Sequence, residues 1–148
     1  MTRYTLDSNL YIEAARDAAQ AEELEVFSSA FLPFLYLHAV VVQELLAGAT
    51  SPEWQREIQR GIVRPFERRD RLLVPSYRSW RRSGEIVFEL VQNNELTAGG
   101  VGRSFMNDAL LAASCRDTGV VLITRNLADF RRIARVEPVR FQKPWPEP

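Results

Sequence analysis

Residues 107–134, with the sequence NDALLAASCRDTGVVLITRNLADFRRIA, decide the fold class. The first part predicts a helix from Asn107 to Asp117, because its apolar residues recur at helical spacing. The apolar run from Val120 to Thr124 predicts a strand, and Leu127 to Ala134 predicts a short helix. A strand between two helices is the repeating unit of proteins with a parallel sheet.

The same alternation is predicted upstream of this stretch. Strands are predicted at Tyr4 to Leu6 and Phe34 to Ala39, and helices at Leu10 to Ala15 (capped by Ser8 or Asn9), Ala19 to Phe31, Val40 to Ala47, and from Ser51 to about Arg60. The chain therefore predicts an α/β fold in which helices sandwich a mostly parallel sheet.

The middle of the chain continues the pattern with one long loop. A strand is predicted at Arg71 to Val74, a helix from Ser76, a glycine-rich loop at Asn93 to Ser104 and a last strand at Val139 to Phe141. The helix has an apolar stripe that we interpret as core: Tyr77, Trp80, Gly84, Val87, Phe88 and Val91. Neither repeats nor a linker interrupt residues 1–148, so we expect one domain.

Composition limits the class of protein. The chain has 148 residues, 46% of them hydrophobic and 26% charged, which suits a globular domain with its own core. Because the N-terminus lacks a signal-peptide pattern and no long apolar run is present, we expect a cytoplasmic protein with no membrane contact. Cys115 is the single cysteine, so a metal would have to be held by oxygen atoms.

Charge is balanced overall but not evenly distributed. The formal net charge is zero, yet nine arginines lie between Arg56 and Arg82 against three acidic residues. Arginine binds phosphate through a planar fork of donors, so this segment could contact an RNA backbone. A solvated helix face in an arginine-rich protein explains the same pattern, and the sequence leaves both interpretations open.

Four acidic residues occupy positions that matter in a parallel sheet. Asp7 follows the first strand, Glu44 lies in the helix after the second, Asp108 begins the helix after the glycine-rich loop, and Asp129 follows a late strand. Ligands of such sheets bind outside the carboxyl ends of the strands, where these acids can converge. Each also has a purely structural interpretation, as a helix cap, a solvated residue, a helix N-terminal charge or an arginine partner.

Clustered carboxylates repel one another unless a cation neutralises them. Glu44 and Asp108 adjoin apolar positions, where an unpaired ion is costly. With oxygen ligands alone, Mg²⁺ or Mn²⁺ fits best, and His38 is interpreted as a packed residue of the second strand rather than a ligand. Such a site implies phosphodiester hydrolysis.

Four ordered motifs resemble those of PIN domains. They are Thr5 to Ile12, Ala39 to Gly48, Asn107 to Ala113, and Gly119 to Asn126 followed by Asp129-Phe130. The resemblance implies a three-layer α/β/α domain, Mg²⁺ or Mn²⁺, endonucleolytic cleavage of RNA and a homodimer. In its single-domain form the chain is similar to VapC-type toxins, which implies a cognate antitoxin protein as a partner.

The resemblance also assigns residues. Asp7, Glu44 and Asp108 match the metal-binding acids, and the fourth acid of the family stands where either Asn126 or Asp129 lies. Ser8, Asn9, Thr124 and Asn126 are implied as residues that support the acids or bind substrate phosphate.

Competing families fit less well. A haloacid-dehalogenase-like phosphatase needs an acid two positions after the first, where Asn9 stands, and a receiver domain needs a late lysine in the sheet, whereas Lys143 lies in the tail. A PIN-like scaffold without activity remains a third interpretation.

Overall fold

The computed structural model describes residues 1–147. The strands are β1 (Tyr4–Leu6), β2 (Leu35–His38), β3 (Leu72–Leu73), β4 (Val121–Ile123) and β5 (Phe141–Gln142). The α-helices are α1 (Ser8–Arg16), α2 (Ala18–Phe31), α3 (Ala39–Ala47), α4 (Pro52–Ile58), α5 (Arg64–Arg68), α6 (Tyr77–Gln92), α7 (Arg103–Thr118) and α8 (Leu127–Ala134).

The five strands of residues 1–147 form one parallel sheet in the order β3-β2-β1-β4-β5. Tyr4 pairs with Leu35 of β2 on one side and with Val121 of β4 on the other, so β1 is central. The chain moves outward from β1 to β3 and then crosses to β4. Sheets of this kind bind ligands at this switch point, beyond the carboxyl ends of β1 and β4.

Helices cover both faces of the sheet. Helices α1 to α5 form one group, and helices α6, α7 and α8 form the other. Leu6, Leu37, Leu111, Leu122 and Phe130 are fully buried between them. The predicted three-layer α/β/α fold with a parallel sheet is confirmed.

Two helices begin earlier than the sequence predicted. Asp7 caps α1 by accepting a hydrogen bond from the backbone of Ser8, so the prediction of Ser8 or Asn9 as the cap is wrong. The helix predicted from Asn107 begins at Arg103, and Asp108 lies in its second turn rather than at its start. Burial of Phe105, one turn before Ala109, extends the apolar face of α7 into the predicted loop.

Other boundaries also differ. The helix predicted to end near Arg60 continues from α4 through a π-helical turn at Gln59–Val63 into α5. Helix α2 begins at Ala18 because Asp17 caps it. Strand β1 has the predicted bounds, whereas β2 to β5 are shorter than predicted, and β5 begins at Phe141, two residues later than predicted.

The predicted core face of α6 is largely wrong, although Val87 of that stripe does pack against the core. Tyr77, Trp80 and Phe88 are 80%, 59% and 64% exposed, whereas Ile86 and Leu90 on the opposite side are fully buried. Ser79 and Ser83 extend the buried side toward the start of the helix. The small serines let α6 pack closely against its neighbours, and the larger aromatic residues point to solvent.

None of the helices of residues 1–147 combines the length and the apolar character that a transmembrane span needs.

Candidate active site

Asp7 is held at the carboxyl end of the central strand. Its backbone nitrogen donates to the carbonyl of Ile123 in β4 at 2.9 Å, which continues the β1–β4 ladder by one residue. The chain then turns into α1, and the Asp7 side chain accepts from the backbone nitrogen of Ser8 at 2.8 Å. Asp7 is only 4% exposed, so the ladder and the cap fix a buried carboxylate at the switch point of the sheet.

Two further side chains hydrogen-bond to Asp7. The hydroxyl of Thr124, which follows β4, donates to Oδ2 of Asp7 at 2.7 Å, and the amide of Asn9 donates to the same oxygen at 3.3 Å. Thr124 also accepts from the backbone nitrogen of Asn126 at 3.0 Å. Thr124 therefore connects the acid after β1 with the loop after β4.

Asn126 links two other acids. Its side-chain amide donates to Oδ2 of Asp108 at 3.2 Å and to Oδ2 of Asp129 at 3.0 Å. Asp108 is 5% exposed, whereas the Asp129 side chain is 32% exposed and also lies 3.5 Å from a guanidinium nitrogen of Arg132. Asp129 is therefore joined to Asp108 through Asn126 and also has a weak arginine partner.

Glu44 approaches the cluster from α3. The helix is capped by His38, whose Nδ1 accepts from the backbone nitrogen of Val40 at 3.1 Å. Val41 and Leu45 bury the inner face of α3 and leave Glu44 half-buried at its edge. His38 is fully buried, as predicted, and its ring serves to cap the helix.

Burial raises the pKa values of three of the acids, and repulsion from neighbouring carboxylates contributes for two of them. Burial and, in decreasing order, the charges of Asp7, Glu44 and Asp129 together raise the pKa of Asp108 to about 8. Burial and then the charge of Asp7 raise the pKa of Glu44. Burial raises the pKa of Asp7 as well, while hydrogen bonds from Thr124 and Ser8 oppose the shift. A cation in this cluster would favour the ionised carboxylates.

The donor set fits a hard divalent ion. All four acids offer oxygen, and Oδ1 of Asn9 is a buried acceptor with no hydrogen-bond partner among residues 1–147, beside Asp7. Within the described residues, however, no three acidic, histidine or cysteine side chains lie close enough to hold one ion as they stand. Mg²⁺ usually keeps several waters and binds one or two carboxylates directly, so three converging acids are not needed to hold it.

Residues 1–147 thus bring the sequence-predicted acids Asp7, Glu44, Asp108 and Asp129 to one edge of the sheet, together with Asn9, Thr124 and Asn126. Ser8 lies beside Glu44, where its side chain lowers the pKa of that acid. Sequence reasoning missed Asn107, which acts on Glu44 in the same way. Its position beside Asp108 in the third motif was the available signal.

The family assignment rests on a sequence match over most of the chain. The sequence model described as PIN domain matches residues 4–136. The chain belongs to the PIN domain family. PIN domains are generally nucleases and typically use divalent metal ions. No curated protein sequence matches this PIN domain significantly.

Solved structures share the fold of this PIN domain. A chain of the DNA-bound VapBC from Salmonella typhimurium superposes with a TM-score of 0.74 at 21% identity, over 97% of this chain and 98% of that one. VapBC-1 from nontypeable Haemophilus influenzae gives 0.66 at 22% identity, over 96% and 98%. VapBC-5 from Mycobacterium tuberculosis, a member of the VapBC family of toxin-antitoxin systems, gives 0.59 at 15% identity, over 97% and 99%.

Proposed function

We propose that this single PIN domain is a Mg²⁺- or Mn²⁺-dependent endoribonuclease that hydrolyses RNA phosphodiester bonds. The observation that carries the proposal is the convergence of Asp7, Glu44, Asp108 and Asp129 beyond the carboxyl ends of β1 and β4. Burial raises the pKa of Asp108 to about 8, with the charges of the other three acids contributing, so these acids lie near enough to repel one another. Such a cluster is unfavourable for a protein that only needs stability, so a function that uses the acids is favoured.

The residues divide the work between binding and positioning. Asp7, Glu44 and Asp108 would hold the ion, with Asp129 completing the set. A bound divalent ion lowers the pKa of water and offsets negative charge on the phosphodiester. Thr124 orients the Asp7 carboxylate through its 2.7 Å hydrogen bond, and Asn126 orients the carboxylates of Asp108 and Asp129 by donating to both. Because these carboxylates are already oriented, the entropic cost of reaching the reactive geometry is lower.

Asn9 argues against the phosphatase alternative. It stands two residues after Asp7 and donates its amide hydrogen bonds to Asp7 and toward Thr124. An amide in this arrangement cannot serve as the general acid that a haloacid-dehalogenase-like phosphatase requires at this position.

The deciding assay uses mixed cellular RNA with Mn²⁺, with Mg²⁺ and with excess EDTA. We expect cleavage within the strands with either ion, none in EDTA, and none by Asp7→Asn or Asp108→Asn variants that remain folded. Activity in EDTA would contradict the metal mechanism. Absence of cleavage under every condition would favour the inactive scaffold.

We further propose that the protein is the toxin of a type II toxin-antitoxin pair, acts in the cytoplasm and forms a homodimer. The fold it shares with VapBC chains supports a cognate antitoxin as its partner. A basic side chain of the antitoxin, arginine in particular, would inhibit the protein by pairing with the carboxylates of the acidic cleft. Expression of the chain alone should arrest bacterial growth, and co-expression of the neighbouring small gene should restore it. Harmless expression of an active nuclease would contradict the toxin assignment alone.

A further inference from the structure

Two cavities open on either side of Glu44. The first, called here the Trp54 cavity, has a volume of about 290 Å³, and the second has about 360 Å³. Besides Glu44, the Trp54 cavity is lined mainly by Ile12, Arg16, Leu45, Thr50, Trp54 and Ile58. The second cavity includes Arg103, Ser104 and Asn107 at the start of α7. Both cavities therefore adjoin the acidic site through Glu44.

The Trp54 cavity combines an apolar floor with an aromatic wall. Leu45 and Ile58 are 3% and 1% exposed and form the floor, and the half-buried Trp54 stands in the first turn of α4. The exposed residues Arg16 and Thr50 supply polar groups at its edge. A flat heteroaromatic ring with a phosphate attached matches this combination, because it can stack on the indole while the phosphate meets a guanidinium.

Charge supports a nucleotide at this place. The acidic cluster repels phosphate, so an RNA strand needs cations on its path. Arg16 and Arg103 lie in the two cavities beside Glu44, and neither forms an ion pair with another residue of 1–147. In contrast, Arg82 and Arg125 are paired with acids elsewhere. None of the nine arginines from Arg56 to Arg82 lines either cavity, so the arginine-rich segment is not the source of these cations.

We propose that the Trp54 cavity binds one nucleobase of the RNA next to the acidic site, with Trp54 stacking on the base and Arg16 contacting an adjacent phosphate. This inference rests on the proposed ribonuclease function. It assigns α4 and the end of α1 to substrate recognition, and it makes Trp54 a residue that helps to choose which nucleotide flanks the cleaved bond.

The test separates stacking from charge. The protein is the non-cleaving Asp108→Asn chain, and the probes are a fluorescein-labelled single-stranded 12-mer RNA and a ribose-phosphate 12-mer of equal charge that lacks bases. Base stacking on an aromatic residue is worth about 1–3 kcal/mol, so Trp54→Leu should weaken RNA binding about 10-fold. The same change should leave binding of the baseless chain unaltered. Trp54→Phe should restore most of the affinity for RNA.

Arg16→Gln should weaken binding of both probes and reduce the dependence of affinity on salt. Trp80→Ala and Arg78→Gln, on the exposed side of α6 and beside it, are the matched controls and should change neither probe. Thermal denaturation of each variant verifies that it is folded. Leucine fills the apolar space of Trp54 without offering a stacking surface, which keeps the test informative if alanine is not tolerated.

Three results would overturn the inference. Unchanged RNA affinity in Trp54→Leu is the first, and equal losses for RNA and for the baseless chain are the second. The third is a loss of affinity only for the protein product of the neighbouring gene, which would make the cavity a protein-binding site. Cleavage of cellular RNA by the wild-type chain is scored separately, so failure of the base cavity is distinguishable from failure of the ribonuclease proposal.

Discussion

The side-chain amide of Asn126 donates a hydrogen bond to Oδ2 of Asp108, 3.2 Å away. The same amide nitrogen donates to Asp129 at 3.0 Å. The family motif leaves open whether the residue at 126 or at 129 completes the acidic set. In this chain the Asn126 amide bridges the carboxylates of Asp108 and Asp129.

We predict that Asp129 matters more for metal binding than Asn126 does, since only the aspartate supplies charge. Asp129→Asn should raise the Mn²⁺ concentration for half-maximal cleavage by at least about tenfold, within the range seen when supporting partners of metal ligands are removed. Asn126→Ala should raise it less. Arg132→Gln is the control, since it removes only the 3.5 Å ion pair of Asp129. The reverse order of the first two variants in the titration would place the fourth position at Asn126.

We predict that Asp108→Asn stabilises the metal-free protein while it abolishes cleavage. The pKa of Asp108 is raised from 3.8 to about 8 in the folded chain, so between these values the unfolded chain is ionised and the folded chain is not. The carboxyl therefore lowers the free energy of unfolding progressively as pH rises from about 4 to about 8. Asparagine cannot ionise, so the variant should gain on the order of a few kcal/mol near pH 7.

Urea denaturation in EDTA at several pH values measures this gain. The advantage of Asp108→Asn should vanish near pH 4, where the carboxyl is protonated in both states. Glu22→Gln, which changes an exposed acid on α2, should give the same pH profile of stability as the wild type. Equal stability of Asp108→Asn and wild type at pH 7 would contradict the electrostatic frustration of the cluster.

We predict a second pH effect of opposite sign from His38. Burial lowers the pKa of this histidine from 6.5 to about 4, so the folded chain resists its protonation. Stability contributed by the neutral ring is present above about pH 6.5 and is lost as pH falls toward 4, by up to about 3 kcal/mol. Protonation of Nδ1 also removes the acceptor that caps α3.

His38→Asn is the informative variant, because an asparagine side chain can cap a helix and does not titrate in this range. Its free energy of unfolding, measured in urea between pH 7 and pH 4, should fall less steeply than that of the wild type. Parallel pH profiles for the two proteins would show that His38 does not protonate on unfolding.

The sequence predicted the acids better than their surroundings. Asp7 and Glu44 follow recognisable strands, so their meeting at one sheet edge follows from the parallel order alone. Arg16 and Trp54 gave no such signal, because their nearness to Glu44 depends on how the end of α1 packs against α3 and α4. The start of α7 was also missed, since Gly99, Gly100 and Gly102 suggested a loop up to Ser104.

The orientation of α6 was predicted wrongly for a physical reason that can be tested. The helix has two apolar stripes, and periodicity alone cannot say which of them faces the core. Ile86 is fully buried, whereas Phe88 is 64% exposed. Ile86→Ala should therefore lower the free energy of unfolding by roughly 2–5 kcal/mol, because it leaves a cavity. Phe88→Ala should change it by no more than about 0.5 kcal/mol, as is usual for surface positions.

Urea denaturation at low protein concentration measures both changes on the same helix, so differences in helix propensity largely cancel in the comparison. Gln92→Ala, an exposed polar position at the end of α6, reports the effect of alanine itself. A loss for Phe88→Ala as large as that for Ile86→Ala would contradict the exposure of the aromatic stripe. If that loss appeared only when the protein concentration was raised, the stripe would be buried between copies of the chain, because assembly stabilises the folded state by mass action.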